Sequence, residues 1–500
     1  MKTFFHLTLV FFFSTLPGSA QNNPQYGQND KETLIHALHA VSEDNISNWM
    51  HTLIDPGMRG RLAGDIGYDR AAQWATERFT EWGLQPFFRD RGFYQEFDQP
   101  YTLILDRGSL SMHIPFGEGK EMLDKTYSYA ADYWPWGVSG SGEVTGEVVY
   151  AGYGITAPGL GYDDFAGVDV NGRIVICELG IPYTGSNTDT LEQWQPYREV
   201  QYKISNAMEN GAVGMLFAYH VAGPRPTVDP SFVFLALADH VVEDFFMGTG
   251  KDWKNLRQQI NTTLSPASFN TGKLASMALT VDYHPEGRTA NVVGMIEGSH
   301  PDLKNEYLII GAHLDHLGMM PVLFPGALDN ASGVAIAMGV ARSLSQAGIK
   351  LDRSLVILLF GAEEVGLVGS TYFVEHFPHP TENIKMMINL DMVGRGDSFF
   401  AATSEPWEDL LPFFERNNDQ WVHRQMMTRS SAWSYSFRPR TDGAVFSNFR
   451  IPTIHFGARG APSRSLYHVP EDDMRQIDTE IMRDVVKLIT MTVIDIANEQ

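Results

Sequence analysis

One cysteine in 500 residues, Cys177, leaves no partner for an intramolecular disulfide. It sits in the apolar strand-like run GRIVICELG, where a buried, inert thiol is the expected reading. Basic residues are also in deficit: 37 Lys and Arg stand against 60 Asp and Glu, for a formal charge of −23. A nucleic-acid surface needs clustered Lys and Arg, so that class of partner is excluded, and attraction to anionic membranes is disfavoured. An apolar run of the ~20 residues that a membrane span requires is missing too. The run LTLVFFFSTL (Leu7 to Leu16) is well short of it. With Lys2 before it and the small residues PGSA after it, this run reads as a cleaved signal peptide over residues 1–20, with cleavage after Ala20. No cysteine near that point offers a lipid anchor. The mature chain is expected to be soluble and exported, and export without disulfides fits a bacterial-type periplasm or exterior.

What is present is the material of a well-buried protein, 43% hydrophobic and 12% aromatic. Its length exceeds what one core serves, so two or three domains are expected. Residues 31–85 show apolar spacing of three and four, as in ETLIHALHAVSEDNISNWMHTLI and RAAQWATERFTEWGL, and read as helices around a Gly-rich loop. From about 100 to 285, short β-rich runs such as GEVVYAGYGI alternate with Gly and Pro turns, the texture of a separate β-rich domain. From about 290, strands alternate with helices, which implies a mixed, mostly parallel central sheet flanked by helices, an α/β fold. The last helix is expected over roughly 476–497.

In open α/β sheets, ligands bind outside the carboxyl ends of the strands. Metal-type side chains collect there: His313 and Asp315 after EYLIIGA, Asp329 before the helix of NASGVAIAMG, Glu363 and Glu364 after SLVILLFGA, Asp391 after IKMMINL, and His468 in SLYHVPEDD. Adjacent carboxylates such as Glu363 and Glu364 repel, and burial raises the cost. A divalent metal offsets it. Two His and three carboxylates suit zinc, or manganese or cobalt in its place. Five ligands fit two metals ~3.5–4 Å apart that share one carboxylate and a hydroxide, with a further carboxylate to carry the proton. Taken singly each residue has an ordinary explanation: Asp329 suits a helix cap, and His-x-Asp an exposed pair. Their joint placement is what argues for a site. His36, His39, His51, His376 and His379 fall on helix patterns or a surface loop and are not assigned.

The blocks GAHLDHLG (311–318), ALDNASG (327–333), FGAEEVGLVGS (360–370), NLDMVGR (389–395) and YHVPEDD (467–473) resemble, in order, those of the co-catalytic di-zinc exopeptidases of clan MH, the aminopeptidase Y and bacterial leucyl aminopeptidase type. GYGI (152–155), GVDVNGRIVIC (167–177) and NAMENGAVGMLF (206–217) resemble that family's protease-associated insert, and RGRLAG (59–64) its N-terminal segment. With the signal peptide at 1–20, the texture of the chain and the resemblance together divide the rest into an N-terminal part of the peptidase domain at 21–105, a protease-associated insert at 106–285, and the catalytic domain at 286–500. The resemblance implies two Zn2+ per chain, with His313 and Asp391 on one, Glu364 and His468 on the other, and Asp329 bridging. Glu363 becomes the general base that activates the metal-bridging hydroxide, Asp315 the residue orienting the His313 imidazole, and Tyr467 an oxyanion donor, a place Tyr435 also suits. The implied activity is removal of N-terminal residues from peptides with free termini.

The chain departs from the family at RTDGAVF (440–446), with Gly443 where His is common, and at GARGAPSRS (457–465), which adds Arg459 and Arg464 near the expected mouth. A carboxypeptidase of the glutamate carboxypeptidase type shares the ligands and the insert, and either arginine suits a substrate carboxylate. A glutaminyl cyclase needs only one zinc, and a binding protein of the transferrin-receptor kind loses ligands. The full ligand set argues against both. The preferred residue and the oligomeric state have no signal in the sequence.

Overall fold

The computed structural model describes residues 27–116, 121–431, 440–460 and 465–499. The apolar run Leu7 to Leu16, with its cleavage point at Ala20, lies outside the described residues, as do Tyr435 and Arg464.

Among the described residues, nine strands form one sheet. Its centre is parallel: Tyr307–His313 lies between Ser354–Phe360 and Ile384–Leu390, and the latter pairs with Thr453–Arg459. On either side an antiparallel pair follows, Arg288–Ile296 against Ser354–Phe360 and Ser398–Ser404 against Thr453–Arg459, and Met426–Ser431 adds a parallel edge strand to the latter. The central strands carry apolar residues without alternation; all seven residues of Ser354–Phe360 and of Tyr307–His313 are buried. That pattern belongs to strands covered on both faces.

One cover is the helix Ser332–Gln346, buried along nearly its whole length, against the long helix Thr479–Ala497. Gly339 makes their approach possible, since a Cβ there would lie 2.7 Å from Val486 Cγ2. The N-terminal helices Lys31–His39 and Glu43–Leu53 add Leu34, Leu38, Ile46 and Leu53 to the same core. The second begins at a capping box: Ser42 Oγ accepts from Asn45 N, and Asn45 Oδ1 accepts from Ser42 N. Such a cap contributes about 1 kcal/mol.

After Tyr94–Asp98 pairs with Arg288–Ile296, the chain builds a second sheet between Ser109 and Leu279 before returning. Among the described residues it has eight strands, with Gly142–Tyr150, Ile174–Glu178, Gly214–Ala218 and Val233–Leu237 parallel at its centre. Helices such as Val200–Glu209 and Trp253–Thr263 lie beside them. Cys177 is buried in this core, and burial pushes its thiol above the ordinary range. The two units are not merely tethered. Leu317, Met320 and Phe324, from the loop after Tyr307–His313, belong to the apolar core of the second unit. There Trp134 packs edge-on against Phe324 and the Tyr129 hydroxyl donates to Met320 O.

Candidate metal centre

The parallel register sets the site. His313 pairs with Phe360 at the ends of neighbouring strands, so Glu363 and Glu364 emerge beside it three and four residues later. Asp391 follows Leu390, the end of the strand on the other side. Asp329 comes from the loop before Ser332–Gln346, and His468 from the loop after Thr453–Arg459. All five proposed ligands converge. His313 Nε2 is 3.1 Å from Asp329 Oδ1 and 3.6 Å from Asp391 Oδ1; His468 Nε2 is 2.9 Å from Glu364 Oε2 and 3.6 Å from Asp329 Oδ2. Proximity here is not hydrogen bonding: Asp391 Oδ1 and His468 Nε2 are buried with no hydrogen-bond partner. Orphaned polar atoms in a set of two imidazoles and three carboxylates, of which His313, Asp329 and Asp391 lie close enough to share one ion, fit a divalent metal such as zinc.

The electrostatics say the same. Burial by itself would lower the pKa of His313, but Glu363, Asp329 and Asp391 outweigh it and hold the imidazole well above its ordinary value. His468 is likewise raised to about 9 by Glu364 and Asp329 against the opposing effect of burial. Burial and then Glu364 push Glu363 well above the carboxylate range, whereas His468 and His316 overcome burial and hold Glu364 well below it. Clustered buried carboxylates of this kind are stabilised by a cation.

Each ligand loop is held by a specific contact. The Nδ1–H of His313 donates to the backbone oxygen of Asp315 at 3.1 Å, and that of His468 to Ala222 O at 2.8 Å. A carbonyl only accepts, so both rings present Nε2 as the free donor to a metal. Asp472 accepts from the amides of Leu328 and Asp329, at 2.8 and 3.0 Å. Asn330 Nδ2 donates to Leu390 O. Arg61, wholly buried, donates to four carbonyls: Leu314, Leu53, Pro325 and Gly326. It thereby ties the end of the second N-terminal helix to both ends of the segment between His313 and Asp329.

The comparisons with known proteins agree with this geometry. Residues 291–493 match peptidase family M28, and residues 144–242 match the PA domain. Residues 291–493 thus form a peptidase family M28 domain. The chain is 25% identical over 363 residues to aminopeptidase YwaD of Bacillus subtilis (strain 168), covering 69% of this chain and 68% of that protein. It is 24% identical over 528 residues to the glutamate carboxypeptidase 2 homolog of Caenorhabditis elegans, covering 88% and 66%. The chain thus spans about two thirds of the length of these curated relatives. The aminopeptidase from Aneurinibacillus sp. strain AM-1 shares its fold, with a TM-score of 0.61 at 21% identity over 92% of this chain and 95% of that one. The peptidase M28 precursor of Shewanella amazonensis SB2B does so too, with a TM-score of 0.62 at 16% identity over 95% and 97%.

In this M28 peptidase a cavity of about 800 Å³ lies between the catalytic and PA domains. Glu363, Glu364, Asp391, Tyr467 and His468 line one wall, and Tyr219 and Ala222 of the PA domain, with Trp136 of the same sheet unit, the other. Tyr467 is stacked on His468, ring centroids 3.7 Å apart. Three points refine the sequence expectation. The Asp315 carboxylate stands 3.8 Å from His313 Nδ1 and instead accepts from the amides of Glu363 and Glu364, so it is the Asp315 backbone that orients the imidazole. Arg459 does not line the cavity; its guanidinium lies over Phe400, and Arg198, Arg225 and Arg440 line the cavity instead. At Gly443 a Cβ would sit 2.7 Å from His455 Cε1, so the ring of His455 fills the space that a larger residue would need.

Sequence reasoning missed several residues. His316 hydrogen-bonds Glu364 Oε1 through Nδ1 at 2.8 Å, and with Asp329 and Glu364 it forms a second potential donor group. Asp442 is buried behind Glu363, and burial first, with Asp315 and Asp391 adding, raises it to about 7. His316 and Asp472 stand inside blocks quoted above, where only the strand-end criterion passed them over. Arg61 stands in the quoted RGRLAG segment, where nothing tied it to the site, and Ala222 carries no local signal at all.

Proposed function

We propose that this chain is an exported di-zinc aminopeptidase that removes residues from free peptide N-termini. The carrying observation is Asp329, whose two oxygens face different imidazoles, His313 on one side and His468 on the other. His313 and Asp391 would hold one zinc, Glu364 and His468 the second, and Asp329 both; manganese or cobalt would serve in substitution. Zinc bound there supplies Lewis-acid polarisation of the scissile carbonyl and a lowered pKa for the attacking water. Glu363 has its backbone anchored on Asp315 and lines the cavity, and as general base it takes the water's proton and returns it to the leaving amine. Tyr467 donates its hydroxyl to the developing oxyanion. The aminopeptidase names of the Bacillus and Aneurinibacillus proteins support this polarity. Export rests on Lys2 and the run Leu7 to Leu16. Among the described residues, no helix is long and apolar enough to cross a membrane.

One observation favours a second reading. Arg198, Arg225 and Arg440 face the same cavity as the metal ligands, and arginine pairs well with a substrate carboxylate. That would suit a carboxypeptidase, as the name of the Caenorhabditis relative suggests. Mass spectrometry of free, N-acetylated and C-amidated peptides incubated with the zinc-loaded protein decides. Shortening from the N-terminus that acetylation blocks is expected. Trimming from the C-terminus that amidation blocks would replace the aminopeptidase reading with the carboxypeptidase one.

A further inference from the structure

The two imidazoles of the centre are oriented by different domains. His313 is held by a carbonyl two residues away in its own loop, Asp315 O. His468 is held by Ala222 O, which lies 246 positions away in the PA domain. We infer that the PA domain is a working part of the metal centre: by presenting the Ala222 carbonyl to His468 Nδ1–H, it sets the affinity of the zinc site built on Glu364 and His468, and not of the site built on His313 and Asp391. The inference rests on the two-zinc reading given above.

The presentation is built, not incidental. Ala222 stands in a loop pinned on both sides to the end of the strand Tyr133–Pro135 and the residues just after it. The Trp136 indole N–H donates to Val221 O, and the Gly137 amide donates to Gly223 O at 3.0 Å. The Trp136 ring, itself 7% exposed, lies against Gly223, where a Cβ would come within 3.1 Å of it. Trp136 also packs on Phe217 and Phe234, two central strands of the PA sheet, so the loop inherits the rigidity of that core. On the receiving side, His468 has φ +55°, a conformation that non-glycine residues adopt rarely and that surrounding contacts must enforce. Its ring is buried, and its other nitrogen faces Glu364 and Asp329. Without an acceptor at Ala222 the ring loses both its fixed tautomer and its fixed orientation. Partners of this kind are typically worth roughly 10- to 100-fold in metal affinity. Trp136 is therefore a positioning residue, acting on the zinc site through a backbone carbonyl.

The test is zinc binding to the full-length protein, measured by competition with a chromophoric chelator in the absence of substrate. Trp136→Phe keeps a ring and removes the N–H that holds Val221 O. It is expected to weaken one of two zinc constants by about tenfold or more and leave the other unchanged. The effect should persist in a His313→Ala background and vanish in a His468→Ala background. Gly223→Ala, which displaces the same loop by crowding Trp136, should reproduce it. Trp194→Phe removes a buried indole of the same core that touches Tyr162 and Tyr197, away from the loop. It should leave both constants unchanged. Two unchanged constants in Trp136→Phe and Gly223→Ala overturn the inference, as does a loss that survives in the His468→Ala background. A parent protein that binds one zinc only overturns the two-zinc reading beneath it.

Discussion

Glu363→Gln separates proton transfer from metal binding at a residue whose neighbour is a proposed ligand. The substitution preserves shape, and the backbone cannot drift, because the amides of Glu363 and Glu364 are both fixed on the Asp315 carboxylate at 3.1 and 3.2 Å. None of the short contacts among His313, Asp329, Asp391, Glu364 and His468 uses Glu363. Zinc content, measured by plasma mass spectrometry after dialysis, should equal that of the parent. The lost step is general-base catalysis, worth roughly 100- to 10,000-fold. At about 1.4 kcal/mol per tenfold, that raises the barrier by about 3–5.5 kcal/mol, read as a fall in kcat on a chromogenic aminoacyl anilide with KM little changed. A second consequence has the opposite sign. Burial and the charges of Glu364, Asp442 and Asp391 all disfavour ionised Glu363. Removing that charge should leave the chelator-treated protein at least as stable as the parent in a thermal melt. The reasoning is refuted if zinc and activity fall together, or if kcat drops by less than tenfold.

Asp329→Asn should lower zinc stoichiometry as well as activity, because the same carboxylate faces His313 and His468; an unchanged zinc content by plasma mass spectrometry would remove its bridging role. In the PA domain, burial lowers the pKa of Lys203 to about 8, although its ammonium donates to Tyr153 O and Gly180 O. The unfolded chain then holds a proton that the folded one releases, so this group adds stability as pH rises from about 8 towards 10.5, by at most about 1.4 kcal/mol per unit. Urea titrations at pH 8 and pH 9.5 should show the parent gaining on Lys203→Met. A constant difference between the two would contradict it.

The candidate site residues were legible because their signal is local. A strand end in an α/β sheet is a defined place, and His313, Glu363, Glu364 and Asp391 each follow an apolar run whose length and composition already specify a buried strand. The flanking strands proved antiparallel because Arg288–Ile296 and Ser398–Ser404 arrive without crossover helices, which hydropathy does not report. Gly443 looked like a lost histidine. Its meaning depends on His455, twelve positions away on a neighbouring strand, whose ring takes up the same space.

By itself, then, the amino-acid order determined which side chains can hold metal and that strand ends would present them, since residue type and spacing of two or three positions suffice for both. The tertiary structure decided which groups hold those side chains still. Arg61 reaches the carbonyls of Leu314, Pro325 and Gly326 across more than 250 positions, and the acceptor for His468 is a backbone oxygen of alanine in another domain. Every residue except proline carries the same N–H and C=O, so a carbonyl leaves no mark in the sequence, and only the packing of one domain against the other selects Ala222 for the task.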